Sequence, residues 1–483
     1  MSLDRRFSTV KAELDEISPS FCLAKWLQVT LHLQNGFNHS CHHPDLHKIP
    51  EQGLSENPGA LHNTPFKKKV RAQMLAGKRP KECEYCWKVE DTRGEHFSDR
   101  VLKSADTWAF PRFAEIAGAA ADANVDPSYV EVSFGNECNF RCSYCTPHIS
   151  SSLWSSFEKH GAFVGRMTLD QIREAGRAPI RGEGNPYVKA FWDWFPSLVP
   201  SLKVFRITGG EPLINPNTYR VLDYLEAHPQ PHLQLCINSN FGIPEPYFRK
   251  FLDKVTSLTK GGKIGEFMVF TSVDTHGEHA EYLRTGLKYD EWLRRVRTYL
   301  DVLPWKLTYM VTFNALSPAR FPRLLDDLVA VNRDFLRTFD DGKSLKRTHL
   351  DISHLTHPEY FSPWVLTPRW LEELDLVGQF MADRGVAKVG PAGFDEYEIH
   401  KMRRIVAWAR STAANPPRDP AYFRALFALF TKQYEMREGK KFLDVFPEME
   451  DFHGVCEAAL GAAGGGFVRQ HVPPQWHSSP ANL

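Results

Sequence analysis

Hydrophobic and polar residues alternate in short runs through the middle of the chain. Val130-Glu-Val-Ser-Phe134, Lys203-Val-Phe-Arg-Ile-Thr208 and Leu233-Gln-Leu-Cys-Ile237 read as strands. So do Glu266-Phe-Met-Val-Phe-Thr-Ser272, Lys306-Leu-Thr-Tyr-Met-Val-Thr312 and His349-Leu-Asp-Ile-Ser353. Between them, stretches such as 219–225 and 290–300 carry apolar residues at helical spacing. Strand and helix alternating six times predicts parallel βαβ units, an α/β fold with ligand sites at the C-terminal ends of its strands. The insertion between the first two strands, 146–200, is long. It holds Thr146-Pro-His148, Ser150-Ser-Ser-Leu-Trp154 and an aromatic helical stretch at 187–195, and it reads either as a substrate cap or as core packing.

The flanks have other patterns. Residues 27–33 alternate and run into Asn35-Gly36, which predicts a β-hairpin with Cys22 before it and Cys41 after its turn. A helix is expected over 64–76, with Val70, Met74 and Leu75 on one face and a stop at Gly77. Beyond 355, the proline-punctuated connector 357–368 leads to helices expected at 370–381, 396–409 and 420–434. The run 442–449 reads as an ordered connector, and Gly464-Gly-Gly466 with Pro473-Pro474 predicts a flexible tail. These patterns divide the chain into 1–115, 125–355, a helical extension 356–460 and a tail 461–483.

Length and composition fit this picture. The 483 residues suggest two to four domains, and 42% apolar with 24% charged residues is that of an ordinary globular protein. A net charge of +1 gives no global field toward nucleic acid or an anionic membrane. No run of eighteen apolar residues occurs, and Met1-Ser-Leu-Asp-Arg-Arg-Phe7 lacks an apolar core for a signal peptide. The expectation is a cytoplasmic protein with no membrane association. The 20 histidines are scattered and form no HExxH pair.

Nine cysteines change the picture, because seven of them fall in two groups. Cys22, Cys41, Cys83 and Cys86 precede residue 100, and Cys138-Asn-Phe-Arg-Cys142-Ser-Tyr-Cys145 follows the first central strand. Cys236 lies in an expected strand as a small buried hydrophobe or a hydrogen-atom donor, and Cys456 carries no signal. A reducing compartment argues against a disulfide framework, so the groups read as metal sites. Three close thiolates can hold three irons of a four-iron cube and leave the fourth open. Three reduced thiols, or a zinc site short of one ligand, are the blander readings.

The spacing of Cys138, Cys142 and Cys145, with the aromatic Tyr144 before the third cysteine, resembles the signature of the radical S-adenosylmethionine (radical SAM) enzymes. Thr208-Gly209-Gly210-Glu211-Pro212, after the second strand, resembles that family's GGEP motif, and the resemblance implies that it contacts the SAM amino group. Asn238-Ser-Asn240 after the third strand resembles a further SAM-facing stretch. Ser272-Val-Asp274 followed by Arg284-Thr-Gly286 resembles the S-x-D…R-x-G pattern of enzymes with auxiliary clusters. Asn314, past the fifth strand, is the last residue expected to face SAM. The resemblance implies a partial (β/α)6 barrel of TIM type. Cys22, Gly36, Cys41 and the pair Cys83-x2-Cys86 resemble the opening of the SPASM and twitch auxiliary-cluster modules. They imply a small N-terminal α+β domain in which four cysteines hold a second [4Fe–4S] cluster, with a four-cysteine zinc site as the alternative.

The function so implied is reductive cleavage of SAM to a 5′-deoxyadenosyl radical that abstracts hydrogen from substrate. An auxiliary cluster points to oxidative modification of a peptide or protein, or of a small metabolite, with flavodoxin or ferredoxin as electron donor. Two alternatives stand beside it: a radical SAM enzyme acting on nucleotides or tRNA, and a zinc-stabilised scaffold or binding protein. No nucleic-acid-binding module is recognisable in the chain.

Overall fold

The computed structural model describes residues 3–92, 97–182 and 184–471. It is a mixed α/β structure with a nine-stranded, mostly parallel sheet. The strands are β1 (Gln28–His32), β2 (Phe37–His39), β3 (His47–Lys48), β4 (Tyr129–Ser133), β5 (Val204–Thr208), β6 (Gln230–Ser239), β7 (Ile264–Ser272), β8 (Lys306–Phe313) and β9 (Thr348–His354). Their order is β9-β8-β7-β6-β5-β4-β1-β2-β3. All six strands expected from the central alternation are present, displaced by at most a few residues at their ends. The chain divides into two compact units: one of Met1–Asn136, Pro179–Ile237 and Ser257–Phe267, and one of Glu137–Ala178, Asn238–Thr256 and Met268–Leu483.

In the first unit, β1 and β2 form the expected antiparallel hairpin, with Thr30 opposite His39. β1 also pairs in parallel with β4, which pairs with β5, and β5 with β6. Period-2 alternation puts Val29, Leu31, Val130, Val132, Phe205, Ile207, Leu235 and Ile237 in the core. In register across the same strands run Thr30, Glu131, Arg206 and Cys236, a polar row on the other face. Arg206 Nε lies 3.8 Å from Glu131, and burial pushes the Cys236 thiol up to about 12. The expected helix at 64–76 is Pro65–Leu75, opened by a Thr64 cap and closed before Gly77 at φ +72°. Val70 and Met74 pack with Phe21, Trp26 and Trp87. The helix Leu3–Ile17 adds Val10 and Leu14 to this core.

The aromatic stretch of the insertion is core in this unit rather than a cap. It forms the helix Pro186–Leu198, whose Phe191 and Phe195 are fully buried. Phe191 stands edge-on to Phe134 and stacks on Phe205.

In the second unit, β8 pairs in parallel with the C-terminal half of β7 and with β9. The helices Pro368–Ala382, Glu396–Ala414 and Pro420–Glu438 match the expected periodic stretches. Glu396–Ala414 opens with a capping box of Asp395 and Glu398. The buried Glu398 also accepts from the Leu350 amide of β9 at 2.7 Å, which ties this helix to the sheet. The tail expected from residue 461 needs correction as far as His471. Glu450–His471 is one helical element interrupted at Gly464, and helix-favouring alanines before the glycine triplet carry it past the expected break. The rest of that expected tail lies outside the described residues.

Candidate functional site

The three-cysteine loop lies in the second unit. Arg141–Cys142 pairs antiparallel with Arg284–Thr285, so Cys142 sits opposite Arg284. This pairing brings two separated sequence motifs together. Arg284 donates to both oxygens of Asp274, at 2.8 and 3.1 Å, and its Nη1 lies 3.9 Å from Cys142 Sγ. Asp274 is 0% exposed and further accepts from the Tyr144 hydroxyl at 2.6 Å and the Thr312 amide at 3.0 Å. Burial works against the Arg284 charge, but Asp274 holds its pKa well above the ordinary value. The half-buried Tyr144 and the buried Asp274 and Arg284 are thus one network joined to the loop.

The backbone of the loop is tied down on other sides. Ser151 accepts from the Cys138 amide, and Ser151 and Ser152 donate to its carbonyl. Arg166 donates to the carbonyls of Ser143, Tyr144 and Cys145. Asn240 donates to Asn139, which donates to the Gly242 carbonyl, while Asn240 accepts from the Gly242 amide. Phe140 is wedged against two glycines. A Cβ at Gly242 would lie 2.2 Å from its ring, and one at Gly286, with φ +113°, 2.7 Å away. Burial raises the pKa of Cys142 and Cys145, so a metal that binds them must displace protons.

The remaining expected residues occupy different positions. Ser272 is half-buried at the C-terminal end of β7. Asn314 is buried and shapes a turn, donating to the Thr312 carbonyl and accepting from the Leu316 amide. Gly209, Gly210, Glu211 and Pro212 belong to the first unit. Gly209 has φ +124°, and a Cβ there would lie 2.5 Å from Ser133 Oγ, so only glycine fits. Glu211 is 1% exposed and accepts from the Leu213 amide, capping the turn that Pro212 opens.

Cys22, Cys41, Cys83 and Cys86 line one small cavity in the first unit, together with Lys25, Lys103 and Arg100. Burial pushes the Cys83 and Cys86 thiols up to about 12. Lys25 is 3% exposed and pairs with Glu82. Burial opposes its charge, yet Cys83 and Glu82 keep its pKa above the ordinary lysine value. Four sulfur donors facing cationic side chains fit a group whose thiolates leave net negative charge. Among the described residues, the set of three His, Cys, Asp or Glu ligand atoms all within 4.8 Å of one another is His349, Asp395 and Glu398, not three of these sulfurs. Lys346 already pairs with both acids of that set, which makes it an ion-pair network rather than an open metal site.

Several participants carried no motif. Arg166 is isolated in sequence from the loop it binds, and the Gly242 and Gly286 contacts with Phe140 need tertiary structure to be seen. Lys25 stands only three residues past Cys22, the one signal that could have marked it. No family model matches this chain, and no curated protein matches it significantly.

Proposed function

We propose that the chain is a radical SAM enzyme with an auxiliary iron–sulfur cluster, built on a partial (β/α)6 barrel. Strands β4 to β9 neighbouring one another in sequence order support that barrel reading. The observation that carries the functional reading is the loop Cys138 to Cys145 fastened to the Tyr144–Asp274–Arg284 network. Cys138, Cys142 and Cys145 would hold a four-iron cluster, which would supply the electron for reductive cleavage of SAM and so the means to abstract hydrogen from the substrate.

The chain's own residues supply binding, orientation and exclusion of water. Arg284, held by Asp274, sets a guanidinium N–H beside Cys142, where ligation would leave negative charge. The seryl and arginyl bonds to the Cys138 and Cys145 backbone hold the thiols in place before any ligand binds. Gly209 lets the turn after β5 pack against Ser133, and Glu211 stiffens the turn that follows.

Cys22, Cys41, Cys83 and Cys86 are the ligands for the second cluster in this reading. The cavity that these four thiols share with Lys25, Lys103 and Arg100 supports a group whose thiolates leave net negative charge. A closed second cluster suits an oxidative outcome, in which the substrate radical loses an electron. Modification of a peptide or protein comes first, and of a small metabolite second.

Metal analysis after anaerobic reconstitution tests the reading. Two four-iron clusters give about eight irons per chain, and alanine at Cys138, Cys142 and Cys145 together lowers this to about four. Colourless protein that holds zinc and no iron contradicts it.

A further inference from the structure

The second unit contains a cavity of about 560 Å³, within the range of small-molecule sites. It opens beside the third cysteine, since Tyr144, Thr146 and Arg166 all line it. The remaining wall comes from the insertion after the cysteine loop and from the C-terminal extension. This part of the insertion therefore borders a site, whereas its aromatic helix is core.

The charge of the lining is one-sided. Among the described lining residues, Arg166, Arg177 and Arg418 outnumber the carboxylate Glu359. Arg166 donates to neutral carbonyls, which leave its charge uncancelled. His148 senses the same field: burial, then Arg177 and Arg166, lower its pKa to about 4, so it is a neutral imidazole near pH 7. Among the described residues the hydroxyl of the buried Tyr360 has no partner in full hydrogen-bond geometry, and the Arg166 guanidinium is the cation beside it. Phe423 and Leu426 complete the wall with apolar surface.

From this arrangement we infer that the cavity is a substrate site for an organic anion, a carboxylate or phosphate carried on an aromatic or apolar body. The arginines take the anion, the Tyr360 hydroxyl beside Arg166 can donate to it, and the apolar wall takes the body. That the occupant is the molecule the radical attacks rests on the function proposed above; the anion preference does not.

Three probes of similar bulk test the preference by ligand-observed NMR titration of the full chain: N-acetylphenylalanine, phenyl phosphate and the neutral N-acetylphenylalaninamide. At least one anion binds tenfold or more tightly than the amide, and which one does so tells carboxylate from phosphate. The double variant Arg177→Gln, Arg418→Gln cuts the preference to threefold or less while amide binding stays the same. Equal binding of anions and amide, no anion binding, or a preference that survives the double variant overturns the inference. Each of these outcomes leaves SAM cleavage by the wild-type protein unaffected. Conversely, a wild-type protein that fails to cleave SAM sinks the proposed function and leaves the anion preference standing.

Discussion

Asp274 gathers most of the order in the candidate SAM site. Its two oxygens receive Arg284 in a bidentate pair, the Tyr144 hydroxyl and the Thr312 amide, with no exposure to water. Removing one partner of such a pair strands a buried charge. Asp274→Ala is therefore expected to destabilise the cluster-free protein by about 3–5 kcal/mol in urea unfolding, with a smaller loss for Asp274→Asn. At the other cysteine group, Lys25 is the cation closest in sequence to Cys22, and it lines the same cavity as all four thiols. A positive charge beside a cluster favours its reduced, more negative form. If these cysteines hold the proposed second cluster, Lys25→Met is expected to shift its reduction potential in the negative direction, read by an EPR-monitored redox titration. An unchanged potential would detach Lys25 from that site.

At the scale of elements, sequence reading succeeded where one chemical rule decides. Period-2 alternation located the parallel strands, and Asn35-Gly36 located the hairpin between Cys22 and Cys41. It missed the helix Leu3–Ile17, although Phe7, Val10 and Leu14 stand at helical spacing. It also gave no sign that Lys67 and Arg71 turn inward from their helix. Lys67 donates to the Gln28 carbonyl and contacts His62, and Arg71 donates to Lys25, Asn63 and Ala123. Burial of charged side chains on backbone carbonyls depends on tertiary partners that no local pattern encodes. The glycines around Phe140 are of the same kind. Gly242→Ala and Gly286→Ala each press a methyl group into the Phe140 ring, with an expected cost of about 1–3 kcal/mol in thermal or urea unfolding. Both should also lower iron retention on Cys138, Cys142 and Cys145, because Phe140 lies between the first two.

The helix Glu396–Ala414 makes a pH-dependent contribution of definite sign. Burial raises the Glu398 pKa, but His349 and Lys346 outweigh it and leave the carboxyl below its ordinary value. A lowered folded-state pKa gives stability that is full above the unfolded pKa and is lost as pH falls through the folded one. Glu398→Gln is expected to flatten that part of the acid limb of stability in urea melts, below the ordinary glutamate range. An acid limb unchanged from wild type would contradict the assignment.

At the scale of the whole molecule, the close groups Cys138–Cys145 and Cys83–Cys86 were legible because their spacing is short, whereas Cys22 and Cys41 stand apart from them in sequence. The structure brings Cys22, Cys41, Cys83 and Cys86 around one cavity although up to 64 positions separate them in sequence. It brings Arg284 and Asp274 to Cys142 across the short strand pairing. The arginine-lined cavity was not legible, because its wall draws on residues from Tyr144 to Leu426 with no shared motif. The role proposed for the Cys138 to Cys145 loop is to generate a radical from SAM. Its most direct test is the product of anaerobic incubation of iron-loaded protein with dithionite and SAM. Wild-type protein is expected to yield 5′-deoxyadenosine and methionine, and Cys142→Ala neither; iron-loaded wild-type protein that leaves SAM intact would overturn the proposed function.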